Sequence, residues 1–228
     1  MKTRLIFVRH AEAEGNVIRR FHGWTDSPIT EKGHIQAQKV AERLKDIPID
    51  IIYSSSLKRT LQTCEYIAKA KNLPIIRTDQ MKEINGGDWE GRRWDELPGL
   101  WPEEYDTWEN KPHAHKMPNG ENMEEFQRRL LNEVKRIIKE NKGKNICIVT
   151  HGTAIRSMMC SFHNCSLEKM IDIPWYDNTS VTIIDYEDDN FNVVLEGDAG
   201  HLGKELSTLQ NQEWWAEYME SYNSKNKE

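Results

Sequence analysis

The chain has 228 residues, with 31 Lys and Arg against 37 Asp and Glu and a formal net charge of -6. That balance argues against a general nucleic-acid binder, which needs a basic face to displace counterions from phosphates. No run approaches the roughly 18 apolar residues of a membrane span, and the length suits one domain, residues 1–228, on a single core.

The first element is an apolar run, Leu5-Ile6-Phe7-Val8, ending in Arg9-His10. A continuous run of this kind predicts a strand buried on both faces of a parallel sheet. Residues 11–30 form a polar, glycine-containing loop. Ala37, Val40, Ala41, Leu44 and Ile47 then recur at helical spacing, and Pro48 is expected to stop that helix. Ile49 to Tyr53 reads as the second strand. Ser54-Ser55-Ser56 reads as a capping run before a helix with Leu57, Leu61, Cys64, Ile67 and Ala68 on one side. Pro74 to Arg77 predicts a short third strand.

Residues 85–120 change in character, with Gly86-Gly87, Trp89, Trp94, Trp101, Trp108 and four prolines. They predict an insertion of short helices and loops over the active-site edge of the sheet. The tryptophans read as packing residues, with one or two at a pocket mouth. Met123, Phe126, Leu130, Val134 and Ile137 mark a long amphipathic helix. Ile146 to Thr150 is a further buried strand ending at His151-Gly152, followed by a helix from about Thr153. Val181–Ile184 and Val193–Leu195 predict a hairpin turning in Glu187-Asp188-Asp189-Asn190. The tail, residues 203–228, reads as a last helix or a lid, with Trp214, Trp215 and Tyr218 as its aromatics. The alternation predicts an α/β sandwich, a mostly parallel central sheet flanked by helices.

Cys64, Cys147, Cys160 and Cys165 lack metal-finger spacing, and the N-terminus enters strand pattern without a leader-like segment. Buried free thiols in a reducing, cytoplasmic setting are expected.

The chemistry-bearing residues collect at the carboxyl edge of the sheet, where open α/β folds place ligands. Arg9 and His10 leave the first strand, Arg59 lies in the first turn after the second, and His151 leaves the fourth. Arginine offers a planar fork of donors suited to phosphate oxygens. The helices starting near Ser56 and Thr153 are expected to aim backbone N–H groups at the same place, and Asn16 to add a neutral donor. The sum is a pocket for a small phosphate monoester dianion. A neutral imidazole can attack phosphorus and form a phosphohistidine, and nearby arginines disfavour imidazolium. Glu83, before the turn Asn85-Gly86-Gly87, is the candidate proton donor, with a pKa expected to rise. Asp88 and Glu90 are the alternative carboxylates. Taken singly, His22, His113, His115, His163 and His201 read as surface or structural residues and form no metal set.

Several segments match a known family. They are Arg9-His10-Ala11-Glu12-Ala13-Glu14-Gly15-Asn16, Phe21-His22-Gly23-Trp24-Thr25-Asp26-Ser27-Pro28-Ile29-Thr30-Glu31-Lys32-Gly33, Ser54-Ser55-Ser56-Leu57-Lys58-Arg59-Thr60-Leu61-Gln62-Thr63, Glu83-Ile84-Asn85-Gly86-Gly87-Asp88-Trp89-Glu90-Gly91, Asn119-Gly120-Glu121-Asn122 and Val149-Thr150-His151-Gly152. Any one is weak, but together and in order they are specific. Over roughly its first 200 residues the chain resembles the histidine phosphatase superfamily, the phosphoglycerate-mutase-like group. The resemblance implies His10 as the phosphorylated nucleophile and Glu83 as acid and base. Arg9, Arg59 and His151 would hold the phosphoryl group, and Asn16, His22, Gly23 and Gly152 would line the substrate pocket. It implies no metal and no cofactor. Ala11 and Ala13 stand where the family usually has Gly and Thr. Three activities fit: a broad phosphomonoesterase, a bisphosphoglycerate-dependent mutase, and a silent phospho-ligand-binding relative. The short, acid-rich segment after Glu83, with Arg92-Arg93 and no later arginine pair before Pro112, favours hydrolysis. Intact His10, Arg59, Glu83 and His151 argue against a silent relative. The physiological substrate and the oligomeric state stay open.

Overall fold

The strands β1 (Thr3–Arg9), β2 (Ile51–Ser55), β3 (Ile75–Thr78), β4 (Asn145–Thr150), β5 (Val181–Glu187) and β6 (Asn190–Asp198) form one sheet in the computed structural model, which describes residues 1–225. Their order is β3-β2-β4-β1-β5-β6. The first four are mutually parallel, and β5 and β6 are added antiparallel at one side. The predicted α/β class therefore holds.

The two central strands explain their own sequences. Leu5, Ile6, Phe7 and Val8 of β1 and Ile146, Cys147, Ile148 and Val149 of β4 are all 0% exposed, because helices cover both faces. On one side Ile6, Val8, Cys147 and Val149 meet Val40, Ala41, Ile67 and Ala68. These come from α2 (Glu31–Arg43) and α3 (Lys58–Lys71), which follow a single turn, α1 (Glu14–Val17). On the other side Leu5, Phe7, Ile146 and Ile148 share a core with Phe126, Leu130, Val134 and Met158. Those residues belong to α6 (Met123–Glu140) and α7 (Gly152–Phe162), which follow α4 (Leu97–Leu100) and α5 (Pro102–Asn110). α6 opens on a reciprocal cap, Asn122 Oδ1 accepting from Glu125 N at 2.8 Å.

Several boundaries differ from expectation. α2 ends at Arg43, before the expected stop at Pro48, because Lys45 N and Ile47 N bond three residues back, to Glu42 O and Leu44 O. Pro48 disfavours helical geometry at the residue before it, and the preceding turn tightens. The second strand begins at Ile51, not Ile49, opposite Ile146, and runs through Ser54 and Ser55. Those serines therefore do not cap α3. Its N-cap is Leu57, without a side-chain bond, and Asp26 Oδ1 accepts from Lys58 N at 2.6 Å instead.

Residues 85–120 hold short helices and turns as expected. Their tryptophans pack inward: Trp89 is fully buried and meets Phe21, Trp94, Trp101 and Trp108. The hairpin turns at Asp188 and Asp189, with φ of 51° and 61°, the left-handed pair a two-residue turn requires. The tail carries α8 (Gly203–Leu206) and α9 (Trp215–Lys225), where Tyr218 stacks on Trp215. Tyr218 Oη accepts from Trp175 N at 3.2 Å, so α9 is docked on the body. The end of the segment read as helix or lid, 226–228, lies outside the described residues.

Leu130→Ala removes a fully buried side chain from the α6 face of the core. It should cost about 2–5 kcal/mol. Urea unfolding monitored by tryptophan fluorescence would read this as a lower midpoint at unchanged slope.

Candidate active site

Parallel pairing brings the site together. Arg9 lies opposite Thr150, and Ser54 opposite Val149, so β1, β4 and β2 deliver Arg9-His10, His151 and Ser55 to one edge. His10 N donates to Thr150 O at 2.9 Å. The His10 and His151 ring centroids are 5.3 Å apart, and His22 lies 6.1 Å from His10 with its ring nearly perpendicular.

Each imidazole is held by a partner that bears on its tautomer. His10 Nδ1 is 2.7 Å from Ala11 O. A carbonyl can only accept, so Nδ1 carries the proton and Nε2 keeps a free lone pair. Asn16 Oδ1 accepts from Ala13 N at 2.9 Å, which turns its amide nitrogen toward His22 Nε2 at 3.3 Å. His22 Nε2 is thereby the acceptor, and the proton of the neutral ring sits on Nδ1. His151 Nε2 bonds Ser55 Oγ at 2.8 Å, while its Nδ1 is buried without a partner. With Ser55 donating, Nδ1 is the protonated atom and can donate to a bound oxyanion.

The two arginines are buried without carboxylate partners. Arg59 Nη1 donates to Thr25 O at 3.0 Å, and Nη2 donates to His22 O and Gly23 O at 2.9 and 2.7 Å. Arg9 Nη1 donates to Tyr176 O at 2.5 Å. Both Nε atoms are buried and unpartnered. Burial lowers the pKa of Arg9 and brings that of Arg59 to about 10, so both remain cations at neutral pH. Two glycines permit the approach. A Cβ on Gly152 would lie 3.2 Å from Arg9 Nε, and one on Gly23 would lie 2.1 Å from Ile84 O.

Glu83 completes the cluster. Its Oε1 accepts from Ile84 N and its Oε2 from Thr153 N, each at 3.0 Å. Burial pushes its pKa up, against the lowering effect of those bonds and of Arg59 and Arg9. Its segment is clamped by Arg129, which donates to Gln80 O, Lys82 O and Glu83 O and pairs with Glu121. The alternative carboxylates are committed elsewhere. Asp88 accepts from Asn119 at the surface, and Glu90 accepts from Trp24 N, Thr25 N and Gly86 N.

Arg9, His10, Arg59, Glu83 and His151 thus come together, with His22, Gly23 and Gly152 against them. Asn16 braces His22 with one of its two amide N–H groups and keeps the other. One expectation is corrected. The helix N-termini do not aim these N–H groups at an anion, since Lys58 N goes to Asp26 and Thr153 N to Glu83. Ser55 was missed because it was read as a cap; its place at the end of a strand beside β4 was the available signal. Among the described residues no group of three or more His, Cys, Asp or Glu is arranged to hold a metal ion.

The sequence profile of the histidine phosphatase superfamily (branch 1) matches residues 5–199. Phosphoserine phosphatase 1 of Hydrogenobacter thermophilus is 34% identical over 202 residues, covering 88% of this chain and 95% of that protein. Phosphoglycerate mutase-like protein 4 of Arabidopsis thaliana is 32% identical over 213 residues, covering 91% and 90%. The solved structure of Bacillus stearothermophilus YhfR superposes with a TM-score of 0.84 at 36% identity, covering 87% of this chain and 98% of that one. The chain belongs to the histidine phosphatase superfamily, and it is an enzyme of the phosphatase class.

Burial and the arginines hold His10, His22 and His151 well below 6.5 in the folded protein. In the unfolded chain they titrate near 6.5. Below that pH the unfolded state therefore binds up to about three more protons, and stability is lost as pH falls. Stability measured by denaturant from pH 7.5 to 5 should drop steeply below about 6.5. His151→Asn should reduce the slope by about one proton.

Proposed function

We propose that this protein is a phosphomonoesterase of broad specificity that works through a phosphohistidine at His10, with neither metal nor cofactor. The observation that carries the reading is the His10 Nδ1 bond to Ala11 O, which leaves Nε2 bare in the field of Arg9 and Arg59, whose Nε atoms have no partner. The phosphoryl oxygens would be held by Arg9, Arg59 and His151, donors preorganised where negative charge spreads in the transition state. His10 Nε2 attacks phosphorus, the bond to the leaving oxygen breaks, and Glu83 gives that oxygen its proton. Glu83, now a carboxylate, takes a proton from water. The hydroxide equivalent attacks the phosphohistidine, releasing inorganic phosphate and restoring neutral His10.

Breadth toward leaving groups is supported by Trp24, 41% exposed, whose Nε1 donates to Glu83 O beside the acid. Phosphoserine, the substrate class named for one relative, is among the esters such a site would take. A mutase needs cations for a second acidic group. Of the Arg92-Arg93 pair, Arg93 is exposed and bound to Asp95 at 2.8 Å, which supports hydrolysis instead. We read the chain as one domain, and its four free cysteines, three of them buried, support a reducing, cytoplasmic setting. Among the described residues no helix is long and apolar enough to cross a membrane.

His10→Ala should abolish turnover of phosphoserine and p-nitrophenyl phosphate. Base-stable, acid-labile phosphate should appear on wild-type protein quenched during turnover and not on the variant. EDTA should leave the rate unchanged; loss restored by zinc or magnesium would end the metal-free mechanism.

Glu83→Gln should slow alkyl phosphates far more than p-nitrophenyl phosphate in the first step, because nitrophenolate needs little protonation to leave. Steady turnover of both should fall, since Glu83 also activates water. In the wild type the alkyl ester should lose rate as pH rises through the raised Glu83 pKa, with no matching limb in the nitrophenol burst. Equal, mild effects on both substrates and both phases would remove Glu83 from catalysis.

A further inference from the structure

The main chain of His10 is gripped by a loop that the phosphoryl chemistry does not use. Ser180 O accepts from Arg9 N at 3.2 Å, and Thr179 N donates to Arg9 O at 3.1 Å. Asn178, fully buried, donates from Nδ2 to His10 O at 2.7 Å. That carbonyl can only accept, so the orientation of the Asn178 amide is dictated by it. Thr179 beside it has φ of 57°, a left-handed geometry that β-branched residues avoid. Such strain persists only where the surroundings over-determine it, and it clusters at working sites.

The surroundings here are a clasp from the tail. Asp177 Oδ1 accepts the N–H groups of Asn178, Thr208 and Leu209 at 2.8, 3.0 and 3.2 Å, and Oδ2 accepts from the Ser207 hydroxyl. Thr208 Oγ1 in turn accepts from Gln36 Nε2 at 2.9 Å and donates to Glu12 Oε2 at 3.2 Å. Lys32 Nζ donates to Ser207 O at 3.2 Å. One buried carboxylate therefore ties the segment after α8 to the loop that holds the nucleophile.

We infer that Asn178, held in place by Asp177 and the Ser207–Leu209 clasp, is a positioning residue that aims the His10 ring at phosphorus. The inference rests on His10 being the nucleophile. His10 N is fixed to Thr150 O and His10 O to Asn178, so both peptide groups of the residue are pinned. Only the ring torsions remain, and the bond to Ala11 O sets those. Arg9 shares this loop, through Ser180 O, Thr179 N and, at its guanidinium, Tyr176 O, but none of its bonds is to Asn178, and Arg59 and His151 are held by His22, Gly23, Thr25 and Ser55. Loosening Asn178, whose side chain touches none of these three, should therefore misaim the attack far more than it weakens phosphate binding.

Asn178→Leu keeps the volume and removes the donor. Rapid-quench measurement of the nitrophenol burst should show phosphorylation of His10 slowed about 10- to 100-fold, the scale on which small misplacements act. Competitive inhibition by inorganic phosphate should stay within about twofold of wild type. Ser207→Ala, remote from the pocket, should slow the same step by a smaller factor with phosphate affinity retained, and it carries the test if the Asn178 variant does not fold. A wild-type burst in Ser207→Ala, or in a folded Asn178→Leu, overturns the inference. So does a parallel loss of burst rate and phosphate affinity, which would make the loop merely structural. Failure to trap phosphate on wild-type His10 would instead bring down the phosphohistidine reading, so the two failures are distinguishable.

Discussion

The site depends on two guanidinium groups buried without a carboxylate to neutralise them. Arg9 and Arg59 are 8% and 1% exposed. Burying a charge costs several kcal/mol even after relaxation, unless it is paired and bonded. Here the bonding comes from carbonyl oxygens of Tyr176, His22, Gly23 and Thr25, which orient the guanidiniums without cancelling their charge. Glu83, Asp177, Asp26 and Glu90 act on them only through space, so positive field remains for a ligand. Its effect on the imidazoles follows directly, since each of His10, His22 and His151 is held neutral by burial first and by the arginines second. Neutral imidazoles and a cationic cradle are thus products of one arrangement.

That arrangement is unfavourable in isolation and has to be supported by the sheet. β1 and β4 supply a fully apolar centre, and their parallel register places His10 and His151 at adjacent strand ends. The elements around this centre add bonds where the site needs rigidity. Arg129 reaches from α6 to three carbonyls of the Glu83 segment, and Thr63 Oγ1 accepts from Ala11 N, next in the chain to His10, at 2.9 Å. Packing energy from helices and strands far from the chemistry offsets the cost of the charges at the edge. This is the ordinary relation between a stable scaffold and a strained site.

Some of this was legible in the residues and some was not. Buried parallel strands write themselves as continuous apolar runs, so β1, β4 and the histidines ending them were readable, as was the amphipathic face of α6. Local chemistry misled where tertiary partners won. Ser54 and Ser55 look like caps, but pairing with β4 draws them into β2, and Asp26, distant in sequence, caps α3 instead. That Asn16 also braces His22 was not readable, because Ala13 N, which fixes its amide, and His22 meet it only in the fold. His22 looked structural in isolation because nothing in a loop residue's neighbours announces that it will stand 6.1 Å from His10. The part played by residues 177–180 was invisible for a similar reason: a left-handed threonine leaves no mark in composition or periodicity.

In the proposed mechanism the opposing influences on Glu83 would give the reaction its order. Without substrate, burial raises its pKa while Arg59 and Arg9 lower it. A phosphate dianion bound to those arginines cancels much of their effect and adds negative charge beside the carboxyl, so binding itself favours the protonated acid. In that cycle, once the leaving group departs with the proton, Glu83 would be an anion next to a phosphohistidine. It can now act only as a base, and water is the proton source within reach. The backbone N–H groups of Ile84 and Thr153 hold the carboxylate in place during this half of the cycle, where a charged, buried group most needs donors. One residue can therefore serve both steps because the occupant of the arginine cradle sets which protonation state is stable.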